Sequence, residues 1–165
     1  MGVLRAESIN HASVPVNDLE RARDFYVEML GMRELPTEGR GTGPPDPTAE
    51  LLGVQRPGLC RLACGEVEVT LFQRPTPVDP ARWRENGFFH YSYRMEWDDL
   101  SRLARTADAL RQAGYNIPCD PVYRPPGSSE SSAQSMSLYI VDPEGNLMEL
   151  VGRPKGSAWR TSGAT

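Results

Sequence analysis

Ser137-Leu-Tyr-Ile-Val-Asp-Pro-Glu-Gly-Asn-Leu-Met-Glu-Leu-Val151 reads as strand, tight turn, strand. Ser137 to Val141 is rich in strand formers, Pro143 and Gly145 supply the fixed φ and the positive φ of a turn, and Leu147 to Val151 is apolar except for one carboxylate. That carboxylate is Glu149. Period-two alternation sets Leu147, Glu149 and Val151 on one face and Met148 and Leu150 on the other, so Glu149 is expected inside an otherwise apolar segment. A buried carboxylate needs a cationic partner, a metal or a proton.

Working outward, the same order of elements occurs twice. Ile9 to Val16 alternates as a strand. Asn17, with Glu20 three residues on, is expected to cap a helix with the stripe Leu19, Ala22, Phe25, Tyr26, Met29 and Leu30, ended by Gly31. A Gly/Pro loop at 37–47 and a helical turn at Thr48 to Leu52 follow. Two strands, about Gly58 to Ala63 and Val67 to Gln73, then hinge at Cys64 to Glu66. In the second copy Phe88 to Trp97 opens as a strand. Asp98 and Asp99 cap a helix with the stripe Leu100, Leu103, Ala107 and Leu110, ended by Gly114, and a Gly/Pro/Ser loop from Arg124 to Ser132 leads into the strand pair quoted above. His11 and His90 are 79 residues apart, and so are Thr70 and Glu149. The economical reading is an α+β fold built from two βαβββ modules, at 8–74 and 88–152 of one domain, with a polar C-terminal tail at 153–165.

The bulk numbers exclude several classes. With 39% apolar and 24% charged residues, 15 glycines and 15 prolines, the 165-residue chain is expected to be globular and rich in loops. Its net charge of −4 argues against a nucleic-acid partner. The sequence carries no apolar run of membrane-spanning length and no export signal, so no membrane partner and a cytoplasmic location are expected. Cys60, Cys64 and Cys119 lack zinc-finger spacing and read as reduced, packed thiols.

The chain contains only two histidines, and both fall at the start of the first strand of a copy. His11, His90 and Glu149, carried on strands, make up a donor set that binds a divalent metal on one side and leaves positions open for substrate. The plainer alternative is that each histidine is hydrogen-bonded and that Glu149 pairs with Arg94 or Arg153.

Ile9 to Leu19 with Phe25-Tyr26 and Leu30-Gly31, His90 to Met95 with Ala113-Gly114, and Leu138 to Leu150 together resemble the vicinal-oxygen-chelate superfamily. That superfamily takes in glyoxalase I, bleomycin-resistance proteins, fosfomycin-resistance transferases, methylmalonyl-CoA epimerase and extradiol dioxygenases. The resemblance covers about residues 8–152, and Asp142-Pro-Glu-Gly-Asn-Leu-Met-Glu149 is its most specific part. It implies paired modules whose mixed sheet curls around a cavity, and commonly a homodimer. The family's metal positions fall on His11, Thr70, His90 and Glu149. Thr70 departs from the Glu or Gln of glyoxalase I and the epimerase, and Glu68, two residues back on the same face, is the alternative donor.

The remaining His-His-Glu set is similar to that of the extradiol dioxygenases and the fosfomycin-resistance enzymes. It implies Fe(II) or Mn(II), with Zn(II) or Ni(II) as further candidates, acting on a small-molecule substrate with vicinal oxygens; extradiol dioxygenation is one form of this. Tyr139 is the candidate catalytic acid, and Arg124 and Arg94 are the basic candidates for an anionic substrate. Against a standard dioxygenase stands the absence of a third histidine. The competing readings are a glyoxalase- or epimerase-like lyase or isomerase, and a non-catalytic binder of the antibiotic-resistance type lined by Trp83, Phe88, Phe89, Tyr91, Tyr93 and Trp97.

Overall fold

Each copy builds a sheet of its own in the computed structural model, which describes residues 10–36, 58–87, 89–97, 101–126 and 134–156. The loop at 37–47, the turn at 48–52, Phe88, the Asp98/Asp99 cap, Leu100, most of the loop after Arg124 and the tail beyond 156 lie outside the described residues. The chain divides into two units, residues 1–79 and 80–165.

In the first unit β1 (His11–Val16) is followed by α1 (Leu19–Asp24), which continues as a wider π-type turn through Phe25–Met29. Next come β2 (Arg33–Leu35), β3 (Leu59–Cys64) and β4 (Val67–Gln73). The strands lie in the order β1-β4-β3-β2, with β1 parallel to β4 and the other pairs antiparallel. Val14, Val16, Leu62, Val69 and Leu71 are buried on the sheet, as are Ala22, Phe25 and Tyr26 on the helical segment. The alternation in β4 therefore leaves Glu68 and Thr70 on the opposite face.

The second unit repeats the plan. A 3-10 segment (Pro80–Asn86) precedes β5 (Tyr91–Trp97), α2 (Ser101–Gln112), β6 (Val122–Arg124), β7 (Ser135–Val141) and β8 (Leu147–Pro154), in the sheet order β5-β8-β7-β6. Leu103 and Ala107 of α2 are buried, as are Leu138 and Ile140 of β7 and Met148 and Leu150 of β8. Tyr139, Ser137 and Glu149 alternate onto the other face. The result is an α+β fold of two mixed sheets, as the repeat predicts.

The 79-residue repeat is kept in the register of the parallel pairs, while across the antiparallel pairs the offset from Arg61 to Tyr139 is 78. Ser13 lies beside Thr70 across the parallel pair of the first sheet, and Ser92 lies beside Glu149 in the second. Across the antiparallel pair, Arg61 opposes Thr70 and Tyr139 opposes Glu149.

The second hairpin closes through Asp142. Its Oδ1 accepts from the Glu144 and Asn146 amides at 2.9 and 2.7 Å, and its Oδ2 accepts from Asn146 Nδ2 at 2.9 Å. Gly145 takes φ +81°, and a Cβ there would lie 2.8 Å from Pro80 Cα. The polar connector before β5 is thus ordered against the turn, and its Trp83 packs on Tyr139, Val141 and Leu147.

Three local expectations change. The helix cap is Asp18, whose Oδ1 accepts from the Arg21 amide at 3.0 Å, because Asn17 spends its side chain on Val78, donating to its carbonyl at 2.6 Å and accepting from its amide at 3.0 Å. Arg124 belongs to β6, whose three residues are too few for a periodic pattern. Strand β8 runs on to Pro154, so Arg153, expected in the polar tail, is 6% exposed and donates to Glu96 at 3.0 Å. No helix among the described residues is long and apolar enough to cross a membrane.

Candidate functional site

Strand β8 is central in its sheet and flanked by β5 and β7, so a side chain in its middle is walled on both sides. Glu149 is 3% exposed there, with Ser92 and Tyr139 as its register neighbours. Its two oxygens have separate duties. Oε1 accepts from the Tyr139 hydroxyl at 2.9 Å and from Arg124 Nη2 at 3.2 Å, while Oε2 lies 3.3 Å from His90 Nε2. The Arg124 guanidinium is itself fixed, donating through Nε to Ser137 Oγ at 3.0 Å and through Nη2 to the Tyr139 hydroxyl at 3.2 Å. His90 immediately precedes β5 and meets the Tyr139 ring edge-on, with centroids 5.9 Å apart.

Burial pushes the Glu149 carboxyl up, but hydrogen bonds from Ser137, Tyr139, Arg124 and Ser92 outweigh it and hold the group below the ordinary carboxylate range. The carboxylate is ionised at neutral pH. Burial and then the hydrogen bond to Glu149 push Tyr139 up to about 12, so its hydroxyl keeps its proton. The result is an anionic oxygen, held from behind, facing an imidazole nitrogen.

This donor pair fits a divalent ion. Oxygen and nitrogen donors each ~2.0–2.2 Å from a shared ion stand roughly 3.0–3.4 Å apart at coordination angles of about 90–110°. The 3.3 Å between His90 Nε2 and Glu149 Oε2 falls in that range. Arg124 and Tyr139 both donate to Oε1, whereas Oε2 faces His90 Nε2.

In the first unit His11 is the first residue of β1 and is exposed. Its Nδ1 is 2.9 Å from Asn10 Oδ1. Thr70 is 5% exposed and donates to Glu68 Oε1 at 3.2 Å. Glu68 in turn is gripped by Arg61, through Nε at 2.7 Å and through Nη2. Within neither unit do three His, Cys, Asp or Glu side chains converge among the described residues.

Of the residues singled out from sequence, the structure brings Glu149, His90 and Tyr139 together. The arginine that pairs with Glu149 is Arg124, and Arg153 pairs with Glu96. Sequence reading named Arg124 only as a candidate for substrate, because 25 residues and a loop separate it from the carboxylate it holds. Ser137 and Ser92 were also missed; Ser137 was findable, since it lies two residues before Tyr139 and shares its face. Trp83 packs on the hairpin, whereas Phe89 is 67% exposed and stacks edge-on with Tyr91 at 5.6 Å.

A family model for the Glyoxalase/Bleomycin resistance protein/Dioxygenase superfamily matches residues 8–150. The chain is similar to the glutathione transferase FosA of Serratia marcescens, at 24% identity over 148 residues, 87% of this chain and 79% of that protein. Among solved structures it is similar to a glyoxalase/dioxygenase from Nostoc punctiforme, with TM-score 0.60 and 20% identity over 94% of this chain and 99% of that one. It is also similar to a mutant of the fosfomycin resistance protein FosX from Listeria monocytogenes, complexed with Mn(II) and 1S,2S-dihydroxypropylphosphonic acid. There the TM-score is 0.59 and the identity 12%, over 92% of this chain and 95% of that one. At these identities the structural likenesses show the fold.

Proposed function

The chain belongs to the glyoxalase/bleomycin resistance protein/dioxygenase superfamily, and from that membership we propose that it is a metal-dependent enzyme acting on a small molecule with two adjacent oxygens. The observation that carries this reading is Glu149, a buried, ionised carboxylate with one oxygen locked by Arg124 and Tyr139 and the other turned to His90. His90 and Glu149 hold a divalent ion, Mn(II) or Fe(II) by preference, and His11 is the third ligand on the strength of the sequence repeat. Such an ion supplies Lewis-acid polarisation of vicinal substrate oxygens. Arg124 and Ser137 keep Glu149 charged and aimed. Tyr139, with its pKa pushed up to about 12, serves as a fixed hydrogen-bond donor and not as a base at neutral pH.

Among the superfamily's reactions we favour nucleophilic addition to an oxygen-bearing carbon over dioxygenation. The chain has only two histidines, both used as ligands in this reading, and its similarity to FosA and FosX supports that class. In such an addition a thiol sulfur or water oxygen bonds to carbon as a ring C–O bond breaks, and the released oxygen takes up a proton.

The test begins with metal content of anaerobically prepared protein beside Glu149→Gln. About one ion per chain, lost in the variant, supports the site; no ion in either after loading with Mn(II), Fe(II) or Zn(II) refutes it. Loss of fosfomycin with glutathione or water then separates addition from oxygen uptake with catechols. A second reading, a non-catalytic binder, draws on the exposed Phe89, which meets Tyr91 edge-on. Ligand affinity that survives joint substitution of His11, His90 and Glu149 would favour it. We also propose a homodimer, because both sheets end in open edge strands; sedimentation at micromolar concentration tests this, and a monomer counts against it.

A further inference from the structure

Along β8, Glu149, Val151 and Arg153 are successive residues of one face, so a carboxylate, an apolar step and a guanidinium follow one another down the strand. Four residues separate the two charged side chains, roughly 13 Å of strand. Strand β7 runs beside them in the opposite direction. Tyr139 opposes Glu149, Ser137 opposes Val151, and Ser135, one step beyond the Met136–Gly152 pair, falls level with Arg153 on the same face. Directly opposed residues have their Cβ atoms about 5 Å apart. Ser135 is fully buried, and its hydroxyl has no hydrogen-bond partner among the described residues. Arg153 is buried as well. It donates through Nη2 to Glu96 at 3.0 Å, but that carboxylate is 48% exposed and solvated. A buried cation beside an unsatisfied buried hydroxyl is a donor set for an oxyanion. Toward β5 the same face reaches solvent, since Ser92 and Arg94 are exposed. All of these residues belong to the second unit.

We propose that Ser135 and Arg153 form a subsite for an anionic, oxygen-bearing end group of a substrate whose vicinal oxygens lie at His90 and Glu149. This rests on the reading of the Glu149 site above and specifies its substrate. The molecule is longer than one that carries its anionic group on the vicinal carbons themselves, and a short apolar stretch of it crosses Val151. Ser135 donates its hydroxyl to the end group, and Arg153 supplies the charge. Arg124 pairs with Ser135 in register on the other side, but its guanidinium is engaged with Ser137, Tyr139 and Glu149, so it serves the carboxylate and not the end group.

The experiment uses two probes, dihydrocaffeate and ethylcatechol, the second being the first without its carboxylate. Both are titrated by calorimetry, without oxygen, into the Mn(II)-loaded full chain and into Ser135→Ala and Arg153→Met. The parent should bind dihydrocaffeate at least about tenfold more tightly than ethylcatechol. Arg153→Met should abolish that preference and Ser135→Ala should reduce it about threefold, while affinity for ethylcatechol stays within about twofold of the parent. A preference absent from the parent, or undiminished in either variant, overturns the subsite and leaves the metal reading standing. If neither catechol binds, the metal reading fails, and inorganic phosphate titrated into metal-free protein decides the subsite. Phosphate binding that both substitutions weaken upholds it; binding that is absent, or equal in all three proteins, overturns it. If Arg153→Met fails to fold, Ser135→Ala still decides. A buried hydroxyl that has no partner can be removed without loss of stability. A Ser135→Ala protein as stable as the parent that loses anion preference therefore identifies the ligand as the partner of that hydroxyl, and one that keeps the preference overturns the proposal.

Discussion

Glu149 can stay ionised while 3% exposed only because four donors compensate its burial, and Arg124 is the one that carries charge. Replacing it leaves a buried carboxylate short of its counter-ion, so Arg124→Met should cost about 1–3 kcal/mol at neutral pH, read from urea denaturation of metal-free protein. The pH dependence has a definite sign. A carboxyl depressed in the folded state contributes stability above its ordinary value of 4.5, and that stability is lost as pH falls through the lower folded value. The parent should therefore lose stability in acid more steeply than Arg124→Met, with the two curves converging at low pH. Parallel curves would mean that Arg124 is not what depresses the group. Glu149, His90 and Tyr139 were legible in sequence because each sits in a periodic strand or beside one. Arg124 was not, because nothing local encodes a contact that crosses a neighbouring strand and a loop.

At the scale of elements, the β7–β8 hairpin is held by turn chemistry that the Asp-Pro-Glu-Gly-Asn run announces, but its packing against Pro80 is a long-range fact. Gly145 and Gly114 both have positive φ, +81° and +89°, yet only at Gly145 would a Cβ strike backbone, 2.8 Å from Pro80 Cα. Gly114→Ala should cost about 1–2 kcal/mol for the left-handed backbone alone. Gly145→Ala should cost at least about 1 kcal/mol more through overpacking, and equal losses in denaturation would show that the Pro80 segment yields freely. The start of α1 shows the same limit from the other side. Both Asn17 and Asp18 are good caps by type, and the choice falls to Asp18 because Val78, 61 residues away, occupies Asn17. Asp18→Ala should lower stability by about 1 kcal/mol through loss of the cap. Asn17→Ala should also destabilise, through release of the connector after β4, and limited proteolysis near Val78 would separate the two effects.

At the scale of the molecule, the duplication is what made the fold readable: the same 79-residue offset relates the histidines, the serines beside the central strands, and the Thr70 and Glu149 positions. What a repeat does not encode is divergence between its copies. The first sheet has Thr70 and an Arg61–Glu68 pair where the second has Glu149 and Tyr139, a difference of charge and hydrogen bonding with no periodic signature. The duplication also makes a claim about function that each copy alone could not make. If the histidines are equivalent, His11→Ala and His90→Ala should each strip most of the metal from the chain, although only His90 has a carboxylate oxygen 3.3 Å away. Elemental analysis of the two variants after identical loading with Mn(II) checks this. Full metal content in His11→Ala with loss in His90→Ala would confine the ligands to the second sheet and make the first histidine a relic of duplication. Loss in both would support the set of His11, His90 and Glu149 that the repeat suggests, with the carboxylate supplied by the second copy alone.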